Sequence, residues 1–465
     1  MNTSNDNATR HDERLGAALV CTALAGAVIG SVGAPLITAV ATGMNVSLSS
    51  AQWTLTVPLF TGAIAGPVLG RLGGGPYRRI TILVALALVT IGGLLTVLPL
   101  PFTALLIGRG LQGLAVAVGA LLMSVARTHL PEQRSISTIA ALSVATTVGI
   151  GVGYPVISLL DQLAGLRAAY GLGLLLSAIA LLVAWRTLPI EAPGALPRID
   201  ITGAILLALG TGGLLLVIAQ PSLWESWSAS GVLAGSLVVL AIWAFLELRA
   251  STPLVNLRLL GREPILRANL AILVAGAGLY LLFSLFTRYV QTPAGADYGF
   301  TLPGVAAGAA LIPFSLLGFV AGKAMPRLIM RITEKWTYAL AAVTAMVSAL
   351  LFAACNQSLL VVLAAIALLG FAVGATFAVV PRLVLVGVPG EETASVLSIN
   401  QIARSIGMSA GSALAGFLLA TSTPNDAMLP TRHGYVTAAL WALPPLAIST
   451  LIIVTRRSGR HAAQA

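Results

Sequence analysis

The sequence predicts an all-α polytopic membrane protein: two bundles of six helices with two further helices between them. Three observations carry that expectation. Of 465 residues, 57% are hydrophobic and only 9% charged, where soluble domains carry roughly a quarter. Apolar runs of about 20 residues, long enough to cross the hydrocarbon core, recur from end to end. The basic residues fall between those runs in a pattern that alternates from loop to loop.

Fourteen spans are expected, at 15–42, 51–72, 80–99, 102–126, 137–160, 168–186, 201–220, 228–248, 266–291, 302–323, 336–355, 359–383, 394–421 and 434–455. The first apolar stretch is too long for a signal-peptide core and has no small-residue cleavage site before Trp53, so the N-terminus is expected to be retained. An even number of spans returns both termini to one side, and the positive-inside rule makes that side the cytoplasm. With the ends inside, all but five of the 26 basic residues lie in inner loops or tails, among them Arg78, Arg79, Arg327, Arg331, Arg456 and Arg457. Arg167, Arg288 and Arg432 fall outside, and Arg109 and Arg404 within spans. The net charge of +11 is therefore spread over loops facing anionic lipid, without a compact basic domain, and no nucleic-acid partner is expected. Cys21 and Cys355 are placed near opposite membrane faces and form no disulfide framework.

Five segments follow: a cytoplasmic tail 1–14, a six-helix bundle 15–186, a two-helix insertion 201–248, a second six-helix bundle 266–455 and a tail 456–465. The polar, proline-containing segment TLPIEAPGALPRID (187–200) ends the first bundle, and ASTPLVNLRLLGREPI (250–265) precedes the second. A faint repeat relates the bundles: GPVLGR (66–71) closes the second span and GFVAGK (318–323) its counterpart. Two similar halves imply a cavity between them.

Charge inside a membrane costs at least about 2.5 to 3.5 kcal/mol per Arg on insertion scales, so such a residue faces a cavity or a partner. Arg109, near Gln112, and Arg404, one turn from Asn400 and Gln401, are the candidates. Pairing with backbone carbonyls and contact with a transported molecule are both open readings. The fifteen acidic residues all lie in tails, loops or span ends, and His11, His129, His433 and His461 lie outside the spans. Trp53, Trp185, Trp224, Trp227 and Trp336 sit near span ends as interfacial anchors. Tyr280, Phe283, Phe286 and Phe314 either pack helices or line an apolar cavity. No metal cluster, nucleophile triad or phosphate loop is found, so neither an enzyme nor a cofactor is expected. The stretch GIGVGYP (149–155) is no dinucleotide turn, since it lacks the strand and soluble βαβ context. Its glycines allow two helices to approach closely.

Several pieces resemble the major facilitator superfamily and, within it, the fourteen-span drug:proton antiporters. RGLQG (109–113) matches that group's Arg-x-x-Gln-Gly pattern, and SSAQWTLTVPLF (49–60) and PGEETASVLSINQIARSIGMSAGSALAG (389–416) are similar to its second and thirteenth spans. GPVLGRLGGGPYRR (66–79) is similar to the family's loop motif through Gly66, Arg71, Arg78 and Arg79, with Gly70 where the family has Asp. Gly149, Gly151, Gly153 and Pro155 resemble the antiporter glycine motif; Tyr154, Ser158 and Leu159 replace glycines. Gly26 stands where the resemblance places a first-span Asp, which leaves Asp161 as the candidate proton site.

The resemblance implies a secondary transporter of the bacterial inner membrane, monomeric and multi-pass, that contacts lipid and exports a lipophilic or amphipathic drug or metabolite by alternating access with protons as coupling ion. Two alternatives stand beside it: an uncoupled facilitator or exchanger of anionic solutes using Arg109 and Arg404, and a transport-incompetent protein kept for sensing or partner binding.

Overall fold

The computed structural model describes residues 3–33, 36–46, 48–191, 194, 200–219, 227–250, 253–255, 257–292, 298–302, 304–423 and 430–455. In order these form α1 (Thr3–Ser31), α2 (Ile37–Gly43), α3 (Leu48–Leu72), α4 (Arg78–Val97), α5 (Phe102–His129), α6 (Glu132–Thr187), α7 (Ile201–Ala219), α8 (Trp227–Arg249), α9 (Leu257–Leu260), α10 (Glu263–Gln291), α11 (Gly304–Ala309), α12 (Ile312–Cys355), α13 (Leu359–Val384), α14 (Thr393–Thr421), α15 (Arg432–Leu440) and α16 (Leu443–Val454). Among the described residues there is no strand, and eleven helices are long and apolar enough to cross a membrane. Lipid offers backbone groups no partner, so helices that satisfy their own are the form such sequence takes.

Two of these helices are broken. α6 contains Gly165 at φ 78° and α12 contains Thr333 at φ 70°, both in the left-handed half of backbone space, where the i to i−4 ladder cannot run. The first apolar stretch, expected as one span over 15–42, stops at Ser31 and resumes at Ile37. Asp200 caps α7 by accepting from the Gly203 amide at 2.8 Å, and Thr431 caps α15 in the same way at 3.0 Å from Gly434.

Packing divides the chain into two bodies. α1 lies on α6, α3 on α5, and α4 on α5 and α6; α12 lies on α13, α10 on α14, and α16 on α10 and α12. The first body buries Leu19, Ile82, Leu121 and Ala180 in one cluster and Val32, Leu36 and Tyr170 in another. The second buries a larger cluster that includes Phe286, Tyr289, Phe352 and Leu369. They meet where α6 touches α11, α12 and α13, and where α14 touches α3 and α5. α7 and α8 pair with each other, and α7 leans on α3 and α14 through Leu207, Val68 and Ile402. Glu247 near the end of α8 is only 1% exposed and accepts from the Val255 amide at 2.5 Å, which fastens the following connection to this pair. Outward faces such as Ile80, Val84 and Ile91 on α4, and Leu237, Val238 and Phe245 on α8, are apolar and exposed, as lipid contact requires.

Candidate functional site: a cavity between the two helical bodies

A cavity of about 320 Å³ opens between the bodies. On one side its wall is small and apolar, from Ala23, Gly26 and Ala27 of α1 and from Ala115, Val116 and Ala120 of α5. Opposite, α14 presents Asn400, Gln401, Arg404, Ser405, Ser409 and Ser412, a polar stripe at one-turn spacings. Phe60, Tyr154, Tyr280, Phe283 and Phe377 add aromatic surface. The site therefore suits a molecule with one apolar and one polar side.

Arg404 is half-buried on this wall. Its guanidinium stacks over the Phe377 ring at 4.4 Å and donates to Gln401 Oε1. Gln401 Nε2 lies 3.4 Å from Ser405 Oγ, and Asn400 Nδ2 donates to Asn269 Oδ1 of α10 at 3.2 Å. The sequence-expected trio thus lines one wall, with Arg404 and Gln401 bonded to each other and Asn400 bonded to α10. Arg288, expected in an outer loop, stands in the last turn of α10 and also lines the cavity.

Arg109 and Gln112 behave differently. Arg109 is 0% exposed, donates through Nε to the Thr54 carbonyl at 2.9 Å, and through one terminal nitrogen to the Ile29 carbonyl at 3.2 Å and Gln112 Oε1 at 2.6 Å. It ties α1, α3 and α5 together behind the wall, and neither it nor Gln112 is among the described residues that line the cavity. Of the two readings open for Arg109, this geometry is that of pairing with backbone carbonyls.

The glycine motif lies inside α6, between the bodies. Gly149 and Gly153 meet Ala27 and Ser31 of α1, whereas Gly151 is pressed against Ser315 and the Leu311 carbonyl across the seam. Ser315 Oγ in turn donates to the Val148 carbonyl at 3.3 Å. Pro155 lies within the helix, and the non-helical residue of α6 is Gly165. Gly151→Val is expected to wedge this seam by about 1–3 kcal/mol of overpacking and to slow transport roughly tenfold. Gly235→Ala, which meets open space, should leave the rate unchanged in the same flux assay.

In the loop motif, Gly66 lines the cavity and its carbonyl accepts from Ser398 Oγ of the other body at 2.9 Å. Gly70 is buried near the end of α3, and Arg71 lies in the last turn of that helix. Arg78 and Arg79 bond to protein. Arg78 donates to the Gly73 carbonyl at 3.1 Å and pairs with Glu191 at 3.1 Å, and Arg79 donates to the Trp185 carbonyl at 2.8 Å. Asp161, the candidate proton site, lies in α6 before the Gly165 break and away from the described cavity wall. Phe286 and Phe314 are core residues, packed on Phe352 and Phe283 respectively.

Arg127 carries a contact that sequence reading missed. At the end of α5 it donates to Thr393 Oγ1 at 2.8 Å and to the Val388 carbonyl at 2.7 Å, both in the other body. Its sequence signal is that of any loop-edge arginine, because both acceptors are ordinary groups.

Two bundles enclosing a cavity are matched at the level of whole chains. The crystal structure of the human organic anion transporter MFSD10 (TETRAN) has this fold, with a TM-score of 0.66 over 95% of this chain and 99% of that one, at 16% identity. A triacylglyceride transporter of Mycobacteroides abscessus is 30% identical over 277 residues, 55% of this chain and 52% of that protein. The multidrug resistance protein Stp of Mycobacterium tuberculosis is 26% identical over 379 residues, 80% of this chain and 68% of that protein. The chain spans about half the length of the triacylglyceride transporters it matches. Residues 18–412 match the family described as Major Facilitator Superfamily. With helical bodies, seam and cavity in agreement, the chain belongs to the Major Facilitator Superfamily, a family of transporters rather than enzymes.

Proposed function

We propose that this protein exports an amphipathic small molecule across the bacterial inner membrane by alternating access. The observation that carries this reading is the two-faced cavity between the bodies, apolar on α1 and α5 and polar on α14. Seam contacts made by single side chains (Arg127 to Thr393, Ser398 to Gly66) can break and re-form as the bodies rock. Relatives that bear the names of a triacylglyceride transporter and a multidrug resistance protein agree with an apolar or amphipathic cargo.

The same reading has fourteen spans in a six, two, six order, because α6 and α12 each divide at their broken residue and Ile201–Val217 is a shorter apolar helix. It has both termini in the cytoplasm, where the loop arginines concentrate. A monomer belongs to the same reading. The resemblance implies protons as the coupling ion with Asp161 as their carrier, but no carboxylate is among the described residues lining the cavity, so proton coupling is not part of this reading.

Everted membrane vesicles that contain the protein should accumulate amphipathic dyes above vesicles without it. Equal accumulation, with insertion verified, would overturn export and favour a protein that senses or binds partners.

A further inference from the structure

Resting on the reading of the cavity as the export route, we infer that its cargo is an amphipathic monoanion, and that the membrane potential alone drives it outward. Of the two cations among the described lining residues, Arg288 is exposed in the last turn of α10, whereas Arg404 stands half-buried in the wall with a neutral amide and an aromatic face as partners. No Asp or Glu is among the described residues lining the cavity, and the sequence places all fifteen acids in tails, loops or span ends. Arginine does not lose its proton here, and a half-buried cation without counter-charge is costly. Gly26, on the facing wall, contributes no side chain. A bound anion supplies the missing charge. Its head sits on Arg404 within reach of Gln401 and Ser405, and its apolar body lies against Ala23, Ala27 and the α5 alanines. Carboxylate, sulfonate and sulfate-ester heads all satisfy this chemistry on an aliphatic or aromatic body of a size that about 320 Å³ accepts.

Energetics follow from the same inventory. Each outward passage carries one negative charge away from the negative cytoplasm, so the potential favours export without a proton. A uniported monoanion then comes to equilibrium at a concentration ratio equal to that of the ion setting the potential.

The test uses the full-length protein in proteoliposomes, with potassium at a tenfold gradient, valinomycin, and a pH-sensitive dye inside. Naphthalene-2-sulfonate, a permanent monoanion, and ethidium, a permanent monocation, are the probes. Naphthalenesulfonate is expected to reach about a tenfold excess on the positive side, as a charge of one requires, without any change of internal pH. Arg404→Gln should lower its initial rate at least tenfold and abolish its thermal-shift binding signal while the ligand-free melting temperature holds. Arg404→Lys should keep the dependence on potential. Anion movement accompanied by internal pH change overturns the electrophoretic drive. An unaltered rate in Arg404→Gln overturns the assignment of that residue. If ethidium is transported and naphthalenesulfonate is not, the anion inference falls and export stands. If neither probe nor any amphipathic dye moves, the export reading itself falls.

Discussion

Arg109→Met is expected to destabilise the protein by on the order of 3 kcal/mol or more, since buried acceptors left unpaired cost about 1–3 kcal/mol each. The Thr54 carbonyl and the amide oxygen of Gln112 lose their donor, the Ile29 carbonyl keeps only the Val32 amide at 3.4 Å, and no water reaches a side chain that is 0% exposed. Methionine keeps most of the volume, so the loss reports bonding more than packing. Lysine should restore little, because its single ammonium cannot span acceptors on three helices as a planar fork does. Thermal unfolding in detergent measures this: Arg109→Met should melt well below the parent, whereas Arg404→Met should melt close to it and fail in transport. Equal melting of Arg109→Met and parent would contradict the structural role given to Arg109.

Gly26→Asp is expected to have the largest effect on transport at little cost to the fold. A Cβ at Gly26 would lie 3.4 Å from the Ala115 Cβ, an ordinary contact, so the side chain has room. The new carboxylate shares a cavity with Arg404 and supplies its counter-charge from within. Transport of naphthalenesulfonate should fall at least about tenfold, the loss expected when a like charge faces an anion in a desolvated site. The sign with pH is fixed: a carboxyl group that gains a proton frees Arg404, so anion flux should recover as pH falls. A Gly26→Asp protein that moves the anion at the parent rate at neutral pH would rule out Arg404 as its partner.

The contrast between the two arginines shows what was legible in the sequence. Hydrophobic runs locate helices because lipid imposes one requirement on every span; the expected spans at 80–99 and 359–383 are α4 and α13 within two residues. Periodicity and the Asn400, Gln401, Arg404 spacing were enough to put those three on one patch, since i, i+3 and i, i+4 neighbours are fixed by helix geometry alone. Arg109 lay beyond such reasoning. Apart from Gln112, one turn along the same helix, its partners are backbone carbonyls of other helices, which carry no side-chain signature. Arg127 escaped notice for the same reason, and Arg78 because its partner Glu191 lies in a separate connection. The breaks at Gly165 and Thr333 differ in kind: glycine permits a positive φ, whereas nothing in a threonine announces one. In the sequence Tyr154 is a departure from a glycine pattern; in the structure it forms part of the cavity wall.

Transport by alternating access requires the seam between the bodies to open, and Gly66 and Ser398 give that requirement a direct test. A Cβ built at Gly66 lies 3.6 Å from the Ser398 Cβ, inside the roughly 3.5–4.5 Å that a disulfide spans. Gly66→Cys with Ser398→Cys, in a protein whose Cys21 and Cys355 are changed to Ser, should cross-link on oxidation and stop amphiphile flux in proteoliposomes. Reductant should restore the flux. Fully cross-linked protein that transports at the reduced rate would contradict alternating access across this seam.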